Sequence, residues 1–408
     1  MTESRAILFV GAGIETLPGI RRAQQLGLHV VASDVNPEAP GLGLAQDRLL
    51  ASTYDIAATV IAARRFHQEV RPLAGVLCLG TDVPRTVAAV SAELGLPGIS
   101  PEAARLAADK LAMKDCFAAA GVAVPWYAPV EDAGHLGRLC RQCGFPAVLK
   151  PVDSRGARGV LRLTETSDRA WAYQTSRAES PSGRVMLERY LDGPQVSTES
   201  LVIGGEAYTP GFSDRNYEFL QRFAPHIIEN GGELPSHLPR DQQQAICELV
   251  GRAAAAMGIA DGVVKGDIVV HRGVPHVIEL AARLSGGYFC SHEIPLNTGV
   301  DFVGAAIRRC LGDPLDPAEL TPRFQRGVAQ RYLFPEPGRV VRIDVPEWIT
   351  ADPDIALCEI RTRIGADVAP AHNHPARAGV VIATGADRQA AVAKAEAAVA
   401  AINVVTEA

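Results

Sequence analysis

KGDIVVHRGVPHVIELAARLSGG, residues 265–287, contains two apolar β-rich runs separated by Arg272-Gly273. That pattern predicts an antiparallel hairpin. The hairpin sets Asp267 and Glu279 on adjacent strands, with Arg283 and then Ser285-Gly286-Gly287 following. Facing carboxylates on neighbouring strands form a hard-oxygen site of the sort Mg2+ takes when it bridges nucleotide phosphates. Arg283 can reach the same phosphates by a forked contact. Taken singly, an edge-strand acid and a surface arginine are the plainer account of these residues.

A second stretch, AVLKPVDSRGARGV (147–160), ends a strand in Lys150 and continues into a loop of small residues that leads to another strand. Main-chain NH groups freed by such residues surround phosphate oxygens, and the lysine adds a compact point charge. It is not the Walker loop, which needs GxxxxGK[ST] before a helix. A phosphate loop between two strands acts instead as a flap, although standing alone it would read as a plain hairpin.

Working outward, the first hundred residues alternate short apolar strands (AILFV, HVVASD, GVLCLG) with helical stretches, the pattern of a parallel βαβ sheet. Gly11 and Gly13 after the first strand, with Asp34 after the second, invite a dinucleotide reading. The third glycine of that fingerprint falls at Thr16, so the glycines read as easing a strand-to-helix turn. From Ser100 one helix is expected to run to a stop at Gly121. A β-rich region follows, then the Pro-rich stretches LDPAELTPR and LFPEPGR, read as a linker or crossing segment, and finally RAGVVIATG with an Ala-rich helix.

The chain has 408 residues, 46 of them acidic and 40 basic, for a formal charge of −6. A mildly acidic chain without a basic tail argues against a nucleic-acid partner. No segment approaches a membrane span, and the N-terminal apolar run is too short for a signal peptide, so the expected location is cytoplasmic. Eight cysteines are scattered without a disulfide framework, and the one CxxC, Cys140 to Cys143, reads as surface or partly buried thiols. His372-Asn-His374, before a proline, reads as a loop. Only five of the basic residues are lysines: Lys110, Lys114, Lys150, Lys265 and Lys394.

ADKLAMKDCFAAAGVAVP, GFPAVLKPVDSRGARGV, VMLERYLDGPQVSTESLV and GDIVVHRGVPHVIELAARLSGG occur in an order and spacing that resemble the ATP-grasp superfamily of carboxylate–amine ligases, in particular its amino-acid and dipeptide ligases. The resemblance implies an α/β chain: an N-terminal parallel βαβ domain (1–100), a linker helix and lid lobe carrying the flap (101–193), a core lobe with metal and substrate sites (194–320), and a C-terminal α+β subdomain (321–408). The two α+β lobes would clasp ATP. It further implies Mg2+ (or Mn2+) as cofactor, a small-molecule carboxylate and an amine as substrates, and a homodimer.

Residue by residue, the resemblance implies that Lys110 and Lys150 contact ATP phosphates and that Ser154, Gly156 and Arg158 lie in the flap. Glu188, Arg189, Tyr190 and Leu191 match the adenine hinge, and Gln195 stands where a ribose-binding glutamate is usual. Asp267 and Glu279 match the metal acids, and Ala281 occupies the place of a third, asparagine ligand. Arg283 matches the arginine set against the transferred phosphoryl group or acyl phosphate. Lys114 and Lys394 read as helix-surface residues.

PGFSDRNYEFLQRFAPHIIENGGELPSHLP (210–239) resembles the substrate segment of the same ligases. Asp214, Arg215, Glu229 and Ser236 are its substrate candidates, though each also reads as part of a solvated loop. Ser285, Gly286, Gly287, Tyr288, Phe289 and His292 are placed to line the same pocket, with His292 as an acid or base or as a packed side chain. The implied reaction is amide formation through an acyl phosphate with release of ADP and phosphate. The alternatives are a purine-pathway ribonucleotide ligase or carboxylase, which a phosphate-binding patch in the N-terminal domain would favour, a non-catalytic ATP-binding protein, and an NAD-binding oxidoreductase.

Overall fold

The structure, a computed structural model, describes residues 4–407. Its first layer is a parallel sheet of four strands in the order Asp47–Leu50, His29–Asp34, Ala6–Val10, Leu73–Leu77. The strand Ala6–Val10 is buried along its whole length, as a central parallel strand covered on both faces must be. After it, Gly11 adopts φ +107°, and a Cβ there would come within 2.4 Å of Thr81 Oγ1. Asp34 accepts a hydrogen bond from Ala12 N at 3.1 Å, so this carboxylate closes the turn.

A second, antiparallel sheet joins Tyr127–Val130, Val185–Arg189, Ala147–Pro151 and Leu161–Leu163 in that order. The helices Ala133–Cys143 and Arg169–Ala178 pack on it around Leu136, Leu149, Leu187 and Ala172. Cys140 and Cys143 sit in that core, 1% and 6% exposed; the expected surface or half-buried thiols are interior packing groups, because both lie on the helix face turned to the sheet.

The largest sheet has eight strands, all antiparallel, in the order Val274–Ala281, Gly262–His271, Gln195–Ile203, Glu206–Arg215, Gly232–Leu234, Gly327–Leu333, Gly379–Gly385, Ile355–Ile360. The expected hairpin is present, with Arg272 at φ +51° and Gly273 at φ +79°. Positive φ at both central residues is the geometry whose twist matches the flanking strands. Strand Gly327–Leu333 was hidden in the sequence, because Gln330 and Arg331 interrupt its apolar pattern between Pro-rich flanks. Arg331 is nevertheless only 2% exposed, held by Glu233 at 2.5 Å and Glu396 at 3.0 Å. A three-stranded sheet of Asp367–Val368, Gly338–Asp344 and Asn403–Glu407 completes the C-terminal region.

The single helix expected from Ser100 to Gly121 is two, Pro101–Ala107 and Lys110–Ala119. Ser100 caps the first, and the Asp109 carboxylate caps the second by accepting from Leu111 N and Ala112 N at 3.1 and 3.0 Å. A new N-cap inside the run restarts the helix and places Lys110 at its first position, where its N–H donates to Val152 O at 2.8 Å. Among the described residues no helix is long and apolar enough to cross a membrane.

The parallel sheet docks on the large one through a continuous core that includes Ile7, Phe9, Ile20, Phe302, Val303 and Ile307. Leu79 and Leu284 form a parallel bridge between them, next to Arg283. Gly231 keeps the 216–231 loop against strand Gly327–Leu333: its φ is +82°, and a Cβ would lie 2.1 Å from Gln330 O. Gly231→Ala is expected to lower stability by roughly 2–3 kcal/mol. Thermal denaturation checks this, and an unchanged melting temperature contradicts the close approach.

Candidate active site

One cavity lies between the four-stranded antiparallel sheet and the hairpin. It is lined by Lys110, Lys150, Ser154, Gly156, Arg158, Glu188, Arg189, Tyr190, Leu191 and Gln195, together with Asp267 and Glu279. All the residues expected at the nucleotide and the metal thus line one space. Val148, Val160, Ile227 and Ile278 add apolar wall suited to a flat base.

At its polar end Lys150 Nζ and Lys114 Nζ contact the same oxygen, Glu188 Oε1, at 2.6 and 3.0 Å. Lys114 is therefore not the surface residue its helix suggested. It is 1% exposed, because the helix turns this side chain inward beneath the sheet, and burial pushes its pKa down to about 8 against the pull of Glu188. Burial opposes ionisation of Glu188 too, yet the two lysines hold its carboxyl below the usual range. Lys110 Nζ donates to Ser154 O in the flap at 2.8 Å and lies 3.3 Å from Glu279 Oε2.

Asp267 and Glu279 are direct cross-strand partners. Asp267 is contacted by Arg215 Nη1 at 2.6 Å, by Ser197 Oγ at 3.1 Å, and by Lys265. Burial would raise both carboxyls, but Lys265 and Arg215 hold Asp267, and Lys110 holds Glu279, below the ordinary carboxylate range. Two ionised hard-oxygen donors on one face fit a divalent cation that takes its remaining ligands from phosphate and water. Ala281 supplies no donor, and among the described residues no cluster of three or more His, Cys, Asp or Glu side chains forms a metal site alone.

The cavity opens past the flap into a wider cleft floored by the eight-stranded sheet. The two share Arg155, Gly156, Ala157, Arg158, Arg215, Asp267, Glu279 and His374. Arg283, Ser285, Gly286, Gly287 and Glu229 line the cleft, as expected of substrate residues. Arg215 ion-pairs with both Glu229 and Asp267. Arg283 lies 3.3 Å from Asp82 of the parallel-sheet domain.

Four expected pocket residues, Asp214, Ser236, Tyr288 and His292, lie elsewhere, Tyr288 turning its hydroxyl to Glu359 at 2.5 Å. Strand side chains alternate, so Ser213 and Arg215 face the cleft while Asp214 points to the opposite face. There Asp214 accepts from Ser236 Oγ at 2.5 Å and His237 N at 2.8 Å, and pairs with Arg388. Ser236 is thus engaged with Asp214 and does not line the cleft. His292 packs edge-on against Tyr288, ring centroids 5.0 Å apart, with its Nδ1 2.9 Å from Ser291 Oγ, also outside the cleft.

Other cleft residues carried no readable signal. Glu15 comes from the turn after Gly13, accepts from Gly287 N at 3.0 Å and pairs with Arg361 at 3.2 Å. Arg377 donates to Glu229 O at 2.6 Å and stacks 3.8 Å over the Tyr332 ring; burial brings its pKa down to about 10. His374, from the His372-Asn-His374 loop, holds the flap through its backbone N–H to Gly156 O at 2.9 Å. On the other side Arg155 stacks 3.9 Å over Tyr54. Both the N-terminal and the C-terminal parts therefore grip the flap. Only the HxH spacing hinted at this loop; the remaining residues are brought in by topology.

Residues 107–287 match the family model of the ATP-grasp domain, and residues 331–407 match that of the L-amino acid ligase C-terminal domain 2. An uncharacterized protein of Sinorhizobium fredii, y4rH, is 27% identical over 326 residues, covering 78% of this chain and 65% of that one. Carnosine synthase 1 of Homo sapiens is 25% identical over 359 residues, covering 80% of this chain and 42% of that one. The chain thus spans less than two thirds of the length of these curated relatives. The crystal structure of an L-amino acid ligase from Bacillus licheniformis shares the fold, with a TM-score of 0.84 at 21% identity over 100% of both chains.

Removing the Glu188 charge leaves two buried ammonium groups facing each other, whereas removing Lys114 leaves a neutral pair. Glu188→Gln is expected to cost about 3–5 kcal/mol and Lys114→Met much less. Chemical denaturation of both variants measures the order, and equal losses contradict the shared-carboxylate arrangement.

Proposed function

With an ATP-grasp domain over residues 107–287 and an L-amino acid ligase C-terminal domain over 331–407, the chain is an ATP-grasp protein, and we propose that it is an ATP- and Mg2+-dependent ligase joining a small-molecule carboxylate to an amine. The acid is that of an amino acid or a similar small molecule. The observation that carries this reading is the junction of the two cavities at Asp267, Glu279 and the flap, one side suited to a nucleotide and the other to polar substrates.

A carboxylate is a poor acyl donor because its leaving group would be oxide. Transfer of the γ-phosphoryl of ATP makes an acyl phosphate that an amine can attack, releasing phosphate. Attacking and leaving oxygens are both anionic, so the site must stabilise charge spread over the transferred group. Lys110 and Lys150 bind the phosphates, Asp267 and Glu279 would hold the divalent cation, and Arg283 sits against the acyl phosphate. When bound, the cation supplies Lewis-acid neutralisation of the phosphate oxygens. Arg215 and Glu229, at the junction, orient the substrates. The flap, gripped by Tyr54 and the His374 loop, excludes water from an intermediate that hydrolyses readily.

A ribonucleotide substrate would ask for a cationic phosphate site on the N-terminal domain. Among the described residues that domain brings Glu15, Tyr54, Thr81 and Asp82 to the cleft and no lysine or arginine. This favours amino-acid-like substrates over phosphorylated ones.

Incubation with ATP, Mg2+ and pairs of amino acids, read by phosphate release and product mass, is expected to yield ADP, phosphate and a condensed product. AMP with pyrophosphate would contradict the acyl-phosphate route. Glu279→Gln and Lys150→Met are expected to reduce ATP consumption at least 10²-fold or so, as loss of transition-state charge stabilisation requires. Turnover near that of the unmodified protein in either variant would refute the site assignment.

A further inference from the structure

Six carboxylates line the substrate cleft: Glu15, Asp82, Glu229, Asp267, Glu279 and Glu293. Five of them are ion-paired, Glu15 to Arg361, Asp82 to Arg283, Glu229 to Arg215 and Arg377, Asp267 to Arg215 and Lys265, and Glu279 to Lys110. Glu293 alone among them has no basic side chain within ion-pairing distance among the described residues; its one hydrogen-bond partner is the hydroxyl of Ser213, 3.1 Å from Oε2. It is 2% exposed and lies in the π-helical turn Phe289–Glu293, one residue after His292 but facing the cleft. Such single-turn π insertions recur at functional sites because they re-aim a side chain.

We infer that Glu293 is the general base of the ligation, the group that takes a proton from the incoming ammonium so that the amine can attack the acyl phosphate. The inference rests on the ligase reading above. Its position suits the role. Ser213, Ser197, Asp267 and Glu279 stand in one row across the sheet. At the ordinary strand spacing, Ser213 is about 10 Å from Asp267, two strands away. That separation leaves room between the metal acids and Glu293 for the phosphoryl group, the acyl carbon and the attacking nitrogen.

Glu293 accepts one N–H proton, the nitrogen lone pair forms the C–N bond, and the C–O bond to phosphate breaks with its electron pair leaving on phosphate. The second surplus N–H proton passes to the departing phosphate or to water. An unpaired carboxylate is the stronger proton acceptor, since a neighbouring cation lowers a carboxyl's pKa. Burial also raises the Glu293 carboxyl to about 7, against the opposing Ser213 hydrogen bond and the Arg215 charge, which matches it to proton transfer near neutrality. Among the described residues Glu199 is the other buried acid without an ion-paired base, but it lies behind the Ser285 turn, accepting from Ser285 N at 2.9 Å, and does not line the cleft.

The test compares two nucleophiles on the full chain with ATP, Mg2+ and a mixture of the proteinogenic amino acids. Hydroxylamine is largely unprotonated at neutral pH and needs no base; it traps an acyl phosphate as a hydroxamate. Glu293→Gln is expected to keep hydroxamate formation within the same order of magnitude while amide formation falls roughly 10²-fold or more, with partial recovery in Glu293→Asp. Amide formation at the unmodified rate in Glu293→Gln, or parallel loss of both products in both variants, overturns the assignment. An unmodified protein that forms neither product fails at the ligase reading itself, a result distinct from failure of the base.

Discussion

Asp267 and Glu279 face each other across an antiparallel pair, and the rest of the site is arranged around that constraint. Direct cross-strand partners have Cβ atoms about 5 Å apart, and two like charges held at about that separation repel by roughly 3 kcal/mol at an effective dielectric near 20. Neutralisation falls to Lys110, Lys265 and Arg215, which arrive from a helix N-terminus and two strands. The same cations are those a nucleotide's phosphates require. On the proposed reading, a metal-phosphate unit enters by exchanging partners within a cluster that is already charged and partly buried.

This logic extends to both neighbouring regions. Beneath the cavity proposed for the nucleotide, Glu188 balances Lys114 and Lys150; in the cleft, Asp82 and Glu15 balance Arg283 and Arg361. Nearly every acid at the site is answered by a base, which makes Glu293 stand apart. The parallel-sheet domain takes part through Glu15, Asp82 and Tyr54, and the C-terminal region through Arg361, Arg377 and His374, so a site read mainly from the central segments is closed by both ends of the chain.

How much of this was legible depended on whether a signal was local. The hairpin, the facing acids and the flap follow from alternation and turn chemistry within a short window, and Lys150 from its place at a strand end. Asp214 and Arg215 are adjacent and equally polar, and only strand parity, set by pairing with distant strands, sends one to the cleft and the other to Arg388. Lys114 reads as surface because a helix of modest amphipathicity does not reveal which face meets the sheet. The strand Gly327–Leu333 was obscured by Gln330 and Arg331, whose partners Glu233 and Glu396 lie far away in sequence. Glu293 and His292 differ only by the direction that a π turn imposes.

In the proposed mechanism a carboxylate is activated by phosphoryl transfer beside Asp267, Glu279 and Arg283. The most direct measurement follows a substrate labelled isotopically at both carboxylate oxygens during ligation. Phosphoryl transfer to one of them leaves it on the released phosphate, so mass analysis is expected to find one labelled oxygen in phosphate for each amide formed. Amide formation with the label absent from phosphate would contradict the acyl-phosphate mechanism.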